Sequence, residues 1–180
     1  RHAYEEWRDA VDNLDTQLAE LHKEWIKLVL SDILEYDNNS LILNSSGEIK
    51  YTNVELTTDY APTFIVKSPA SGRIRFFIDA LPPDSDFEKP LAGDRWPTSV
   101  VEKMTLLCRS QKVRYGLLTN GEKWTIVSAP IGATSGTATW YSRIWRYEPV
   151  TLKAFQTLLG IRRCFGPENG TLDTLLDSSL

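Results

Sequence analysis

The chain has 180 residues, of which 42% are hydrophobic and 24% charged, with a formal net charge of −4. These proportions exclude a disordered or low-complexity chain, and the acidic balance excludes a strongly basic nucleic-acid footprint over the whole length. Apolar runs are only a few residues long, far below the ~20 that a membrane span needs, and no basic region followed by an apolar stretch marks a secretory leader. The first residue is Arg1 rather than Met, so the chain is expected to be a piece of a longer protein. Charge is uneven. Residues 1–36 hold four Lys/Arg against nine Asp/Glu, so an anionic partner is expected to bind beyond them.

The opening segment has the clearest period. Tyr4, Trp7, Val11, Leu14, Leu18, Leu21, Trp25 and Leu28 are spaced alternately three and four residues apart. That heptad seam predicts one long amphipathic helix, with 1–36 forming a helical segment and 37–180 an α/β domain. The helix could pack as a core element of its own domain, or act as an arm against a neighbouring domain or a second copy. Asp37-Asn38-Asn39-Ser40 ends it. Strands are predicted over 41–43, 48–57, 63–67 and 73–81, the last becoming continuously apolar as a central strand does.

A helix begins near Ser99, which with Glu102 has the spacing of a capping box; Val100, Val101, Met104, Leu107 and Cys108 form its apolar face. Segments 113–119 and 123–129 flank Asn120-Gly121, a strong hairpin signal. A Gly/Thr/Ser-rich loop over 131–136 leads to a strand predicted over 137–147. Pro149 introduces a helix over 151–165, stopped by Gly166-Pro167, and 172–176 could form one last turn. The order reads as an α/β chain with a mixed β-sheet and flanking helices.

Two cysteines, Cys108 and Cys164, sit in apolar helical patterns, and no CxxC or Cys/His cluster accompanies them. Buried free thiols in a reducing cytoplasm are expected rather than a zinc site. No phosphate-binding loop, dinucleotide fingerprint, nucleophile elbow or zincin motif is present. The carboxylates are more informative. Asp79 lies inside the apolar run Phe76-Phe77-Ile78-Asp79-Ala80, where a charge needs a cation or a hydrogen-bond donor. Two such carboxylates from adjacent strands could hold Mg²⁺ for phosphodiester hydrolysis. Equally, Asp79 could cap a turn or pair with an arginine, and Asp59 could be an exposed loop residue.

The hairpin Gly116-Leu117-Leu118-Thr119-Asn120-Gly121-Glu122-Lys123-Trp124 resembles the end of the nuclease-type domain at the N-terminus of type I restriction R subunits. It also resembles the matching region of large restriction–methylase fusions, of type IIG and of the BREX and DISARM phage-defence types. The later segments Thr137–Trp140, Thr151–Phe155 and Leu158–Gly166 are more similar to the fusion proteins. The resemblance spans roughly residues 55–166.

It implies a restriction-endonuclease-like core of the PD-(D/E)xK type, behind the long N-terminal helix. Such cores use an Asp, and an acid-x-Lys on a neighbouring strand, to bind metal and orient water. Carried over, Asp59 is the candidate first acid and Asp79 the second, twenty residues on. The lysine position holds Leu81, which has no proton to move. Lys67 could reach in from a neighbouring strand, and Gln111 is the candidate polar residue on the following helix. The site would need Mg²⁺ if active.

A DNA partner also draws support from Arg143, Arg146, Lys153, Arg162 and Arg163, which are set among Trp140, Tyr141, Trp145 and Tyr147. Alternation predicts Trp140, Ser142, Ile144 and Arg146 on one side of a strand and Tyr141, Arg143, Trp145 and Tyr147 on the other. The rings could instead be core, with solvated arginines over them. Two functions follow: an active Mg²⁺-dependent endonuclease, or a degenerate nuclease-like module that positions DNA or docks other domains of the parent. No methylase motif occurs here, so methyl transfer would belong to the rest of such a parent.

Overall fold

The heptad seam closes on itself. In the computed structural model, which describes residues 2–165, the N-terminal segment is a helical hairpin of α1 (His2–Asn13) and α2 (Leu18–Leu28). A π-helical turn, Val29–Ile33, continues α2. This corrects the single helix expected through residue 36. At the break, Leu14 adopts φ +50°, Asp15 N–H donates to the Ala10 carbonyl at 3.0 Å, and Leu14 N–H donates to the Val11 carbonyl at 3.4 Å. Those two bonds form a Schellman-type cap. The Asp15 carboxylate then accepts the Gln17 amide at 2.8 Å, within the turn that leads into α2.

The seam residues meet across the hairpin. Trp7 stacks on Trp25 with centroids 6.2 Å apart, Tyr4 meets Trp25 edge-on at 5.4 Å, and the Trp7 indole donates to His22 Nδ1 at 3.0 Å. Leu14, expected in the seam, is 83% exposed because it occupies the turn.

The chain divides into two compact units. A helical unit comprises residues up to Asn38 together with those from Trp140 onward, and a sheet unit comprises Asn39–Thr139.

In the helical unit, the predicted C-terminal helix is two helices, α4 (Pro149–Leu159) and α5 (Ile161–Phe165). Gly160 separates them with ψ 158°; a Cβ there would lie 2.5 Å from the Gln156 carbonyl oxygen. Ile161 N–H is taken instead by the Leu34 carbonyl at 2.9 Å. The Tyr36 hydroxyl donates to the Leu159 carbonyl at 2.5 Å and lies 3.0 Å from Cys164 Sγ. Buried Phe155 packs on buried Trp145 and half-buried Trp140, whereas Tyr147 is exposed. The stop at Gly166-Pro167 and the turn over 172–176 lie outside the described residues.

The sheet unit is built on a mixed sheet in the order β1-β4-β5-β6-β7-β8. Its strands are β1 (Leu41–Leu43), β4 (Phe64–Lys67), β5 (Ile74–Ala80), β6 (Tyr115–Thr119), β7 (Lys123–Ser128) and β8 (Gly136–Tyr141). β1, β4 and β5 pair antiparallel, β5 and β6 pair parallel, and β6 and β7 pair antiparallel. The strand expected over 48–57 is a separate hairpin of β2 (Tyr51–Asn53) and β3 (Thr58–Tyr60). The parallel pair needs a crossover, and α3 (Val100–Ser110) supplies it. Ser99 caps α3 by accepting the Glu102 amide at 3.2 Å, as its spacing predicts.

α3 lies close on β6 because Gly116 has no side chain; a Cβ there would collide with Met104 and meet Cys108 Sγ at 3.3 Å. At Asn120-Gly121 only Gly121 has a positive φ, so this is not the two-residue turn of an Asn-Gly hairpin. The buried Asn120 side chain accepts the Glu122 and Lys123 amides and donates to the Ser85 carbonyl. Both cysteines are buried and free, and burial pushes the Cys108 thiol up to about 12. No described helix is long and apolar enough to cross a membrane.

Candidate functional site

Asp79 sits one residue before the end of β5, only 7% exposed. Because β5 pairs with β4 through Phe64↔Ile78, the residue facing Asp79 across the sheet is Thr63. Its hydroxyl donates to Asp79 Oδ1 at 2.9 Å and accepts the Ala80 amide at 3.0 Å. The Tyr60 hydroxyl donates to Asp79 Oδ2 at 2.8 Å. Both carboxylate oxygens are therefore occupied by hydroxyl donors. Burial pushes the Asp79 carboxyl above its usual range, against the Tyr60 and Thr63 hydrogen bonds and the positive charge of Lys103. Burial likewise pushes the Tyr60 phenol up, helped by the Asp79 charge beside it.

Lys103 comes from α3. It lies on the same stripe as Val100, Met104 and Leu107, and its side chain is 3% exposed. Its ammonium forms an ion pair with Asp94 and sits 5.4 Å from the centroid of the Trp96 ring. Trp96 in turn stacks on Tyr51 at 5.6 Å. Partial burial opposes ionisation of Asp94, but Lys103 and the Trp96 amide outweigh it and hold that carboxyl below its usual range.

The other predicted site residues lie elsewhere. Successive residues of a strand face opposite ways, so when Tyr60 points to Asp79, Asp59 points away. Asp59 pairs with Lys50 at 2.6 Å and accepts the Thr52 hydroxyl at 2.6 Å; those contacts hold its carboxyl low. Lys67 ends β4 opposite Ile74, at the far end of β5 from Asp79. Gln111 is the C-cap of α3, two turns beyond Lys103 and about 12 Å along the helix. Leu81 is buried, and its amide donates to the Thr119 carbonyl at 2.7 Å.

The five candidate DNA-binding cations all belong to the helical unit. Arg143 lies over the Tyr141 ring, Arg146 pairs with Glu5 at 3.1 Å, and Arg162 is 3.8 Å from Glu35. Arg163 Nε donates to the Thr157 carbonyl, and Lys153 is exposed on α4. The alternation expected over 140–147 stops at Tyr141, where a 3₁₀ turn, Ser142–Ile144, replaces the strand.

Tyr60, Thr63, Asp94 and Lys103 are thus the partners that a reading of the sequence misses. A β-bulge between Val66 and Lys67 hides Thr63: an even count outward from the Ser68–Arg73 turn pairs Asp79 with Pro62. Lys103 did leave a signal, since a lysine on an apolar stripe requires a carboxylate.

The donor set at Asp79 does not fit Mg²⁺. One carboxylate with a raised pKa, two hydroxyls already donating to it and a nearby ammonium offer a hard cation no second anionic ligand. Among the described residues, no group of three or more His, Cys, Asp or Glu side chains is placed to hold a metal. No family model, curated protein or solved structure matches the chain.

Proposed function

We propose that this chain is the N-terminal domain of a DNA restriction–modification or phage-defence methylase, and that it acts there as a degenerate nuclease-like module. In that role it positions DNA or docks other domains of the parent, and it does not cut. The mixed sheet with flanking helices is compatible with a restriction-endonuclease-like core, and the TNGxxW hairpin carries the resemblance. One observation bears most of the weight: the residue facing Asp79 on the neighbouring strand is Thr63, a hydroxyl where a metal site would want a carboxylate. Leu81, two residues beyond Asp79, adds the loss of a lysine.

The alternative, an active Mg²⁺-dependent endonuclease using Asp59 and Asp79, would need those two carboxylates together. Asp59 is held by Lys50 and Thr52 instead. Incubation of the chain with supercoiled plasmid and Mg²⁺ tests the choice. The plasmid is expected to stay intact; nicking that disappears in Asp79→Ala would establish the nuclease instead.

A further inference from the structure

Charge in the sheet unit is sorted to opposite ends of the sheet. β5 and β6 run parallel, so their first residues share one end with the last residues of β4 and β7. Four segments make that end: 39–41, 67–75, 109–115 and 128–136. They contain Lys67, Arg73, Arg75, Arg109, Lys112 and Arg114, and no Asp or Glu. The remainder of Asn39–Thr139 carries five Lys/Arg and ten Asp/Glu, with Asp79 at the opposite end.

Arg73 and Lys112 are exposed, and the other four cations are half-buried. The register Phe76↔Tyr115 puts Arg75 level with Arg114 on neighbouring strands, about 4.8 Å apart in the backbone. Both alternate onto the face that α3 covers, the face of Phe77 and Gly116. α3 ends there, with Arg109 and Lys112 in and just beyond its last turn. Arg109 is fixed by donating to the Ala133 carbonyl at 3.0 Å, beside an open groove of about 480 Å³ lined by Arg109, Lys112 and the loop Ile131–Thr134. The negative end of the α3 dipole favours Arg109 and Lys112, and Arg114 lies 5.4 Å from the centroid of the Tyr115 ring.

We propose that this end of the sheet unit binds the phosphate backbone of duplex DNA. Four of the six cations are arginines, whose planar fork suits phosphate oxygens, and the Gly/Ser/Thr-rich loops 68–72 and 131–136 add hydroxyls and amides. Tyr115, the single aromatic residue in the four segments, is buried, so no ring is offered to stack unpaired bases. Ile131 is the one large apolar side chain exposed there, too little to anchor on a lipid surface. The inference shares the DNA partner with the proposed function, but it uses none of the five cations of the helical unit.

The test is fluorescence anisotropy of the 180-residue chain with a labelled duplex of about 20 base pairs, over salt from about 50 to 200 mM. Arg73 and Lys112 are exposed, so Arg73→Gln with Lys112→Gln should leave the melting temperature unchanged. That pair is expected to lower the salt slope by about two and to weaken binding about tenfold. An unchanged affinity and slope, or no duplex binding by the unmodified chain, would overturn the proposal. So would equal binding to phosphatidylserine vesicles. A parallel pair, Arg143→Gln with Lys153→Gln, separates the two readings: if it alone weakens binding, this surface fails while the proposed DNA role stands.

Discussion

In the sheet unit, strands and a capped helix follow one another much as alternation and Ser-x-x-Glu demand. In the helical unit, an unbroken apolar period runs through a chain that breaks between Asn13 and Leu18. The difference lies in which interaction decides. Strand pairing and the α3 cap are local or nearly local, and each leaves a signature in a few residues. A heptad seam states only that apolar residues share a stripe; it is equally satisfied by a straight helix with a partner or by a hairpin that partners itself. Short polar residues decide between the two. Asn13, Asp15 and Thr16 cluster around Leu14, and the Asp15 carboxylate accepts the Gln17 amide in the turn, a bond that a straight helix would not use.

If the hairpin is the core of the helical unit, Trp7→Ala should be the most damaging change. The ring is 1% exposed, stacks on Trp25 and donates to His22, and its loss should cost about 3–5 kcal/mol in a denaturant titration. A cost below about 1 kcal/mol would mean that the two helices do not hold each other.

The matching break in the sheet unit is Asp94→Ala. It would leave the buried Lys103 ammonium without its ion-pair partner, at a cost of about 3 kcal/mol. The lowered Asp94 pKa gives the sign of the pH effect. Its contribution is present above the unfolded-state carboxyl pKa and is lost as pH falls through the lower folded value. The variant should therefore differ least from the unmodified chain in acid; a gap that widens in acid would contradict the pairing.

The smallest effect has the opposite sign. Leu14→Gly should stabilise the chain by about 1 kcal/mol, because a left-handed φ costs a leucine and not a glycine. A straight helix with Leu14 in its seam predicts a loss instead.

Much of the sheet was legible because its pattern and its turns agree. The site was legible only in part. Asp79 announced itself as a charge inside an apolar strand, and its burial follows from Phe76, Phe77 and Ile78 around it. Its partners did not, because Thr63 reaches it through a bulged register and Tyr60 through the separate β2–β3 hairpin. Asp59 misled because it is one residue from Tyr60, and on a strand one residue reverses the face. In the helical unit, Gly160 looked like an ordinary helix residue; what excludes the helix there is the Gln156 carbonyl and the bond from Ile161 to Leu34.

The central claim is that Asp79 serves the fold and holds no metal. A thermal-melt titration of the unmodified chain and of Asp79→Asn with Mn²⁺ and Mg²⁺ tests it most directly. Because burial raises the Asp79 pKa, its favourable contribution is full below the unfolded-state value and is lost as pH rises through the folded one. Asp79→Asn should therefore melt at or above the unmodified chain near neutrality, and neither metal should shift either protein. A saturable rise in melting temperature with Mn²⁺ or Mg²⁺, abolished in Asp79→Asn, would contradict the account and restore a metal site to this sheet.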